Sequence, residues 1–216
     1  MKVGIIGAGN VGTGLGRRLA AKGHDIVVSF ARTPGKVQEA ADTIGGGARA
    51  GTPKEAAEHG EVVILATPWA VTLEAVAAAA GALSGKTIWD TTNPFAPDMS
   101  ELLIGTTTSA GEEVAKAAPG ARLVKAVPPF AELLNAPSAR IGGRRPCVFV
   151  CADDPAARAL VMALVEDVDA EPVEAGPLKL ARFTEPLGIL VTNLAYVRGL
   201  GARIGVTLLR EGPHDD

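Results

Sequence analysis

Cysteine is scarce. The 216-residue chain has two, Cys147 and Cys151, both in the run PCVFVC. If that run is a strand, the two thiols stand roughly 13 Å apart, too far for a disulfide. Their CxxxC spacing also lacks the pair-of-pairs pattern of a structural zinc site, so no metal is expected. Two reduced core thiols fit a cytoplasmic protein. Long apolar runs are missing as well. The longest, AVAAAAGAL from Ala75 to Leu83, falls far short of the ~20 residues of a membrane span. The stretch Val3 to Ile6 is too short for a signal peptide. Neither sign of charge dominates: 21 Lys+Arg face 24 Asp+Glu, a formal charge of −3. That balance gives no global case for nucleic acid or an anionic membrane.

Hydrophobic residues make up 47% and charged residues 21%, the proportions of a globular chain. A chain of this length buries about 70% of its unfolded surface and needs no staple. Short β-branched runs alternate with Ala-rich stretches at helical spacing. KVGII (2–6), DIVVSF (25–30), EVVILAT (61–67), KTIWDTT (86–92), ARLVKAV (121–127) and CVFVC (147–151) read as strands. Asn10–Lys22, Gly35–Ile44, Pro53–Ala57, Val71–Leu83, Gly111–Ala118 and Asp154 to about Val168 read as helices. Apolar strands alternating with helices predict an α/β fold, a doubly wound parallel sheet of Rossmann type. After Val127 the text becomes proline- and glycine-punctuated, which predicts a division into residues 1–128 and a small C-terminal α/β domain, 129–216. In that second part LGILVTNLAYV has no polar face, so Ile189–Val197 is expected to be buried, in part at a homodimer contact. The tail EGPHDD reads as frayed.

The most informative segment is KVGIIGAGNVG. Gly7, Gly9 and Gly12 form G-x-G-x-x-G between a predicted strand and a predicted helix. Such glycines permit a tight turn, backbone approach to a pyrophosphate, and close helix–strand packing. Phosphate would meet the free N–H groups of the helix beginning near Asn10 and Val11. Specificity depends on the end of the second strand. No acid stands there for a ribose 2′-hydroxyl, and Asp25 is at the wrong end, roughly 16 Å away. Arg32 and Lys36 offer cations, and Ser29 and Thr33 hydroxyls, for a 2′-phosphate. NADP(H) is the expected cofactor, the alternative being that both cations are ordinary solvated charges.

GIIGAGNVG, GHDIVVSFAR, VILATPW, DTTNP and CADDPAARALVMALVEDVDAEPVEAGPL together resemble the NADPH-dependent coenzyme F-420 (F420) reductases, the F420:NADP oxidoreductase family. The resemblance covers nearly the whole chain. It implies a dimeric enzyme that transfers hydride between NADP(H) and the deazaflavin of coenzyme F420, a small-molecule acceptor held between two domains. It places Gly7, Gly9, Asn10, Val11 and Gly12 at the pyrophosphate, Arg32 at the 2′-phosphate, and Ala66, Thr67, Pro68 and Trp69 beside the nicotinamide. One departure stands out. Where the family has a polar pair in the acceptor pocket, this chain has Val127, Pro128, Pro129 and Phe130. Proline removes hydrogen-bond donors there, which bears on the acceptor and not on the cofactor.

Acid–base machinery is thin. His24, His59 and His214 read as surface positions away from the ligand-binding strand ends. Arg182 and Glu185, three residues apart, read as an ion pair on a helix face. No catalytic side chain is assigned, because hydride exchange between two cofactors needs positioning and exclusion of water rather than a protein acid. Trp69 reads either as cover for one ring or as a packed aromatic. Asn93, followed by Pro94, reads either as a ligand-edge residue or as part of a turn. Two alternatives stay open: NADPH-dependent reduction of a flavin or small carbonyl or imine, and NADP(H) sensing without turnover.

Overall fold

A computed structural model describes residues 1–33, 35–209 and 211 of the chain. It has an eight-stranded sheet in the order β3-β2-β1-β4-β5-β6-β7-β8. The first six strands are β1 (Lys2–Ile6), β2 (Asp25–Ser29), β3 (Arg49–Gly51), β4 (Val62–Leu65), β5 (Thr87–Asp90) and β6 (Arg122–Lys125). They pair parallel throughout. The helices between them are α1 (Asn10–Ala21), α2 (Lys36–Ile44), α3 (Pro53–His59), α4 (Trp69–Ala77) and α5 (Ala110–Ala117). After β6 come α6 (Ala131–Asn135), β7 (Cys147–Ala152), α7 (Pro155–Asp167), β8 (Glu171–Gly176) and α8 (Ala181–Thr192). β7 joins β6 antiparallel and β8 joins β7 parallel. Residues beyond the expected division at 128 thus extend the same sheet.

Alternation along each strand sends successive side chains to opposite faces, which explains the unbroken apolar runs. Val62 and Ile64 join Leu15, Leu19, Ala41, Val161 and Leu164 under α1, α2 and α7. Val63 and Leu65 join Ala56, Val76, Val114 and Leu178 under α3, α4 and α5. Both faces are covered, as the α/β reading requires.

β3 and β8 escape the sequence pattern. β3 is three small or charged residues, and β8 carries Pro172, Glu171 and Glu174. Both are edge strands, where charge and proline are tolerated because one side makes no ladder. α3 begins where expected, at a capping box between Thr52 and Glu55, and runs two residues further, to His59. α4 stops at Ala77, and a 3₁₀ turn at Ala80–Ala82 completes the stretch expected as one helix.

Within this single chain the segment expected to be buried is so only in part. Thr192 and Ala195 are buried, whereas Leu190, on the side of α8 turned away from α5, is 56% exposed and Val197 69%. Of the histidines, His59 is largely covered by Asp25 and Arg49. His24, expected at the surface, is 9% exposed and hydrogen-bonds Asp167 at 3.0 Å, which ties β2 to the end of α7. His214 and, but for Glu211, the tail expected to fray lie outside the described residues. No helix among the described residues is long and apolar enough to cross a membrane.

Candidate functional site

The C-terminal ends of β1, β4, β5 and β6 open on one cavity of about 530 Å³. Its first wall is the β1–α1 turn. Gly7 has φ 133°, and a Cβ there would lie 2.2 Å from the Ala66 carbonyl oxygen. At Gly12 a Cβ would lie 1.9 Å from the Gly7 oxygen, so only glycine lets α1 start this close to β1. At Gly9 a Cβ would meet nothing within 4 Å. Gly9, Asn10 and Val11 line the cavity, and no side chain caps the α1 N-terminus. Its unpaired N–H groups and positive dipole end are open to an anion, a cradle that fits a pyrophosphate.

Arg32, Thr33 and Lys36 are exposed beside this turn, and neither cation has a side-chain partner among the described residues. That arrangement suits a 2′-phosphate. Ser29 does not contribute: its side chain is fully buried and its hydroxyl donates to the Ile5 carbonyl at 3.0 Å, inside the sheet. The strand continues one residue less than its apolar pattern suggests, and Phe30 takes φ 64° to turn away.

Ala66, Thr67 and Pro68 line the cavity after β4. Thr67 and Thr72 hydroxyls lie 2.9 Å apart, and the latter donates to the Pro68 carbonyl, fixing the turn into α4. Trp69 is not among the lining residues. It opens α4 and packs with Phe30 against the core under α3 and α4, so the expectation that it walls the acceptor pocket is corrected. Thr91, Thr92 and Asn93 form the floor. Buried oxygens of Thr92 (Oγ1) and Asn93 (Oδ1) have no hydrogen-bond partner among the described residues. Val127, Pro128, Pro129 and Phe130 form a half-buried apolar wall after β6.

The opposite wall was not legible in the sequence. α8 contributes Thr184, Leu187, Gly188, Val191 and Thr192. A Cβ at Gly188 would lie 2.2 Å from the Asn93 amide nitrogen, so glycine lets the helix sit on the floor. Beyond α8, Asn193–Val197 form a π-turn that brings in Tyr196, and Glu132 comes from α6. Cys147 and Phe149 of β7 also line the cavity, as do Phe95, Met99 and Pro146. Cys147 and Cys151 are both free thiols, and burial pushes the Cys151 thiol up.

Beneath the floor lies a buried ionic network. The Lys125 ammonium contacts Asp90 Oδ2 at 3.0 Å and Glu185 Oε1 at 3.1 Å, and donates to the Thr92 carbonyl. All three side chains are 1% exposed or less. Burial alone would lower the Lys125 pKa, but the two carboxylates outweigh it and hold it above its ordinary value. Asp90 also accepts from the Thr92 amide, and Glu185 accepts from the Ala110 and Gly111 amides at the start of α5. The Glu185 carbonyl accepts from Asn93 Nδ2 at 3.3 Å. The expected Arg182–Glu185 pair is therefore absent: Arg182 reaches Glu112 of α5 instead, at 2.6 and 2.8 Å, and holds that carboxyl below its usual range. A signal for the network did exist, since Asp90 and Lys125 are charged residues closing strands with apolar middles and stand opposite each other in register.

Comparison with known proteins agrees with this architecture. Residues 2–94 match the family model of the coenzyme F420-dependent NADP oxidoreductases. The chain is 28% identical to the F420-dependent NADP reductase of Methanocaldococcus jannaschii, over 94% of this chain and 98% of that protein. A proposed F420-dependent NADP-reductase of Arthrobacter sp. FB24 superposes with TM-score 0.85 at 26% identity, covering 97% of this chain and all of the other. A hypothetical protein of Sinorhizobium meliloti superposes with TM-score 0.72 at 25% identity, over 84% and 87% of the two chains. The fold alone is shared with the reductive aminase of Aspergillus terreus, at TM-score 0.66 and 21% identity, over 92% of this chain and 63% of that enzyme. The resemblance read from the sequence holds: the chain is similar to the F420-dependent NADP oxidoreductases, and the matches support an NADP-dependent oxidoreductase.

Proposed function

We propose that this chain passes hydride between NADPH and the deazaflavin ring of coenzyme F420, both held in the one cavity. The observation that carries this reading is the chemistry of the lining. Among the described lining residues the ionisable ones are Glu132, Cys147 and Tyr196; histidine, lysine and aspartate do not occur. The Tyr196 hydroxyl already donates to Glu132 at 2.9 Å, and an exchange between two flat rings needs stacking and dryness.

NADPH, when bound, supplies the hydride from its nicotinamide ring. The α1 N-terminus with Gly9, Asn10 and Val11 would hold its pyrophosphate, and Arg32, Thr33 and Lys36 its 2′-phosphate. Thr92 and Asn93 would offer their unpartnered oxygens to the nicotinamide end, and Val127 to Phe130 would exclude water from the rings. The Lys125 network keeps the floor and α8 in register, so the cavity is shaped before either ring enters. Residues 1–128 thus serve the cofactor, and residues 129–216 the acceptor. The test is NADPH oxidation with purified F420, riboflavin 5′-phosphate and a panel of carbonyls and imines. Turnover with F420 supports the reading, whereas turnover confined to carbonyls or imines replaces it. Tight NADPH binding without any turnover makes the chain a sensor.

We also propose that the chain is a cytoplasmic homodimer. Phe183, Leu190, Leu194 and Val197 recur at helical spacing along α8 and the π-turn and are 70%, 56%, 36% and 69% exposed. A second copy laid along this stripe would cover it.

A further inference from the structure

We infer that Tyr196, with Phe130, forms an aromatic platform held by Glu132 that recognises a planar tricyclic acceptor ring. The inference rests on the hydride-transfer reading, since it names the residues that would seat the second ring.

The distribution of aromatic residues points there first. The chain has eight: five Phe, two Trp and one Tyr. Four of them, Phe95, Phe130, Phe149 and Tyr196, line this one cavity. Aromatics otherwise serve cores, so half of a sparse supply gathered around a cavity indicates a ring-shaped ligand.

Helix geometry adds a second, independent line. Cavity-facing residues on α8 fall at 184, 187, 188, 191 and 192, the stripe of an α-helix. Continued at that spacing, the stripe would next centre on Ala195, which is buried. The π-turn at Asn193–Val197 inserts one extra residue per turn and rotates Tyr196 into the cavity instead. Such single wide turns are costly, and they recur where a side chain must be re-aimed.

The aimed ring is then fixed from both ends. Its hydroxyl donates to Glu132 Oε1 at 2.9 Å. Its ring meets Phe130 edge to face, with centroids 5.6 Å apart and planes at 75°. Burial and the Glu132 carboxylate push the phenol up to about 12, so it stays neutral and its one proton is committed to Glu132. The phenol is therefore a poor proton donor to a substrate; it offers a ring face and an acceptor oxygen. Glu132 acts as a positioning residue through Tyr196.

Tyr196→Leu, Tyr196→Phe and Glu132→Gln test this against the parent. Riboflavin binding in the presence of NADP⁺ is read by quenching of its own fluorescence, and KM for F420 by NADPH oxidation. Tyr196→Leu should weaken riboflavin and raise the F420 KM by about tenfold or more. NADP⁺ affinity by calorimetry should stay within about twofold of the parent, and Tyr196→Phe should be intermediate in riboflavin affinity and F420 KM. Because Tyr196 is the sole tyrosine, its alkaline absorbance titration in Glu132→Gln should fall below the parent's value near 12, alongside a raised KM. A merely structural Glu132 would move stability and leave the titration in place. Unchanged riboflavin affinity and F420 KM in Tyr196→Leu, or a parent protein that binds no riboflavin, would overturn the platform while leaving F420 turnover to stand or fall separately. Riboflavin binding that depends on Tyr196 without F420 turnover would keep the platform and remove the hydride-transfer reading.

Discussion

Replacing Lys125 with methionine should destabilise the protein severely, and the reason lies in charge rather than volume. The ammonium is fully buried and sits about equally far from two carboxylates, at 3.0 Å from Asp90 and 3.1 Å from Glu185. Methionine fills nearly the same space but strands both carboxylates in a medium that cannot solvate them. Breaking a buried ion pair in this way costs about 3–5 kcal/mol. For a chain of this size that corresponds to a melting temperature lower by on the order of 10 °C. Calorimetric melting of the parent, of Lys125→Met and of Lys125→Met/Glu185→Gln separates charge from packing. Removing one stranded carboxylate should restore part of the loss, although the Ala110 and Gly111 amides then face a weaker acceptor. A single variant melting within about 3 °C of the parent would refute the argument. So would a double variant that melts no higher than the single one, since coupled charges must not add.

Arg32→Ala should weaken NADPH by about 10- to 100-fold through loss of a charge-assisted contact and leave NADH unchanged; calorimetry giving equal affinities for the two cofactors in the parent protein would end the NADP(H) assignment. Alkaline pH should destabilise the fold. Tyr196 ionises near 10 when unfolded and about 12 when folded, and Lys125 is also raised, so the folded state holds more protons and stability falls as pH rises above about 10. Tyr196→Phe should flatten part of that decline in urea titrations. Leu190→Glu combined with Val197→Glu should give a monomer by light scattering at micromolar concentration; a parent that is already monomeric would remove the dimer proposal and leave the fold untouched.

How far these features can be read from sequence depends on the range of the interaction involved. The β1–α1 turn is local: Gly7, Gly9 and Gly12 carry their own steric reasons, and the structure adds the distances. Strands β1, β2, β4, β5, β6 and β7 announce themselves because burial on both faces demands continuous apolar text. Ser29 misleads for the same reason, since a hydroxyl in a buried strand satisfies itself on a neighbouring carbonyl, and position along the chain does not say which way it points. Arg182 and Glu185 mislead because helical spacing permits a pair that α5 outbids with Glu112 and Lys125 outbids with its own charge. The Tyr196 wall is the least legible part. It depends on one extra residue in a helical turn, which shifts the facing residue from Ala195 to Tyr196 and leaves no mark in periodicity.

The reversal of β7 relative to β6 has a consequence for how this pocket changes over time. In a wholly parallel sheet the ligand edge carries only loops, which vary by insertion and deletion. Here β7 runs the other way, so its beginning stands at the edge where β1 to β6 end. Cys147 and Phe149 therefore face the cavity from the start of a strand paired there with β8, and Pro146 from the position just before it. An insertion there would shift the pairing with β8 and turn every following side chain over. That wall can vary in side-chain size and polarity but not in length, so relatives that prefer different acceptors should differ by substitution at 147 and 149 and by length in the loops opposite.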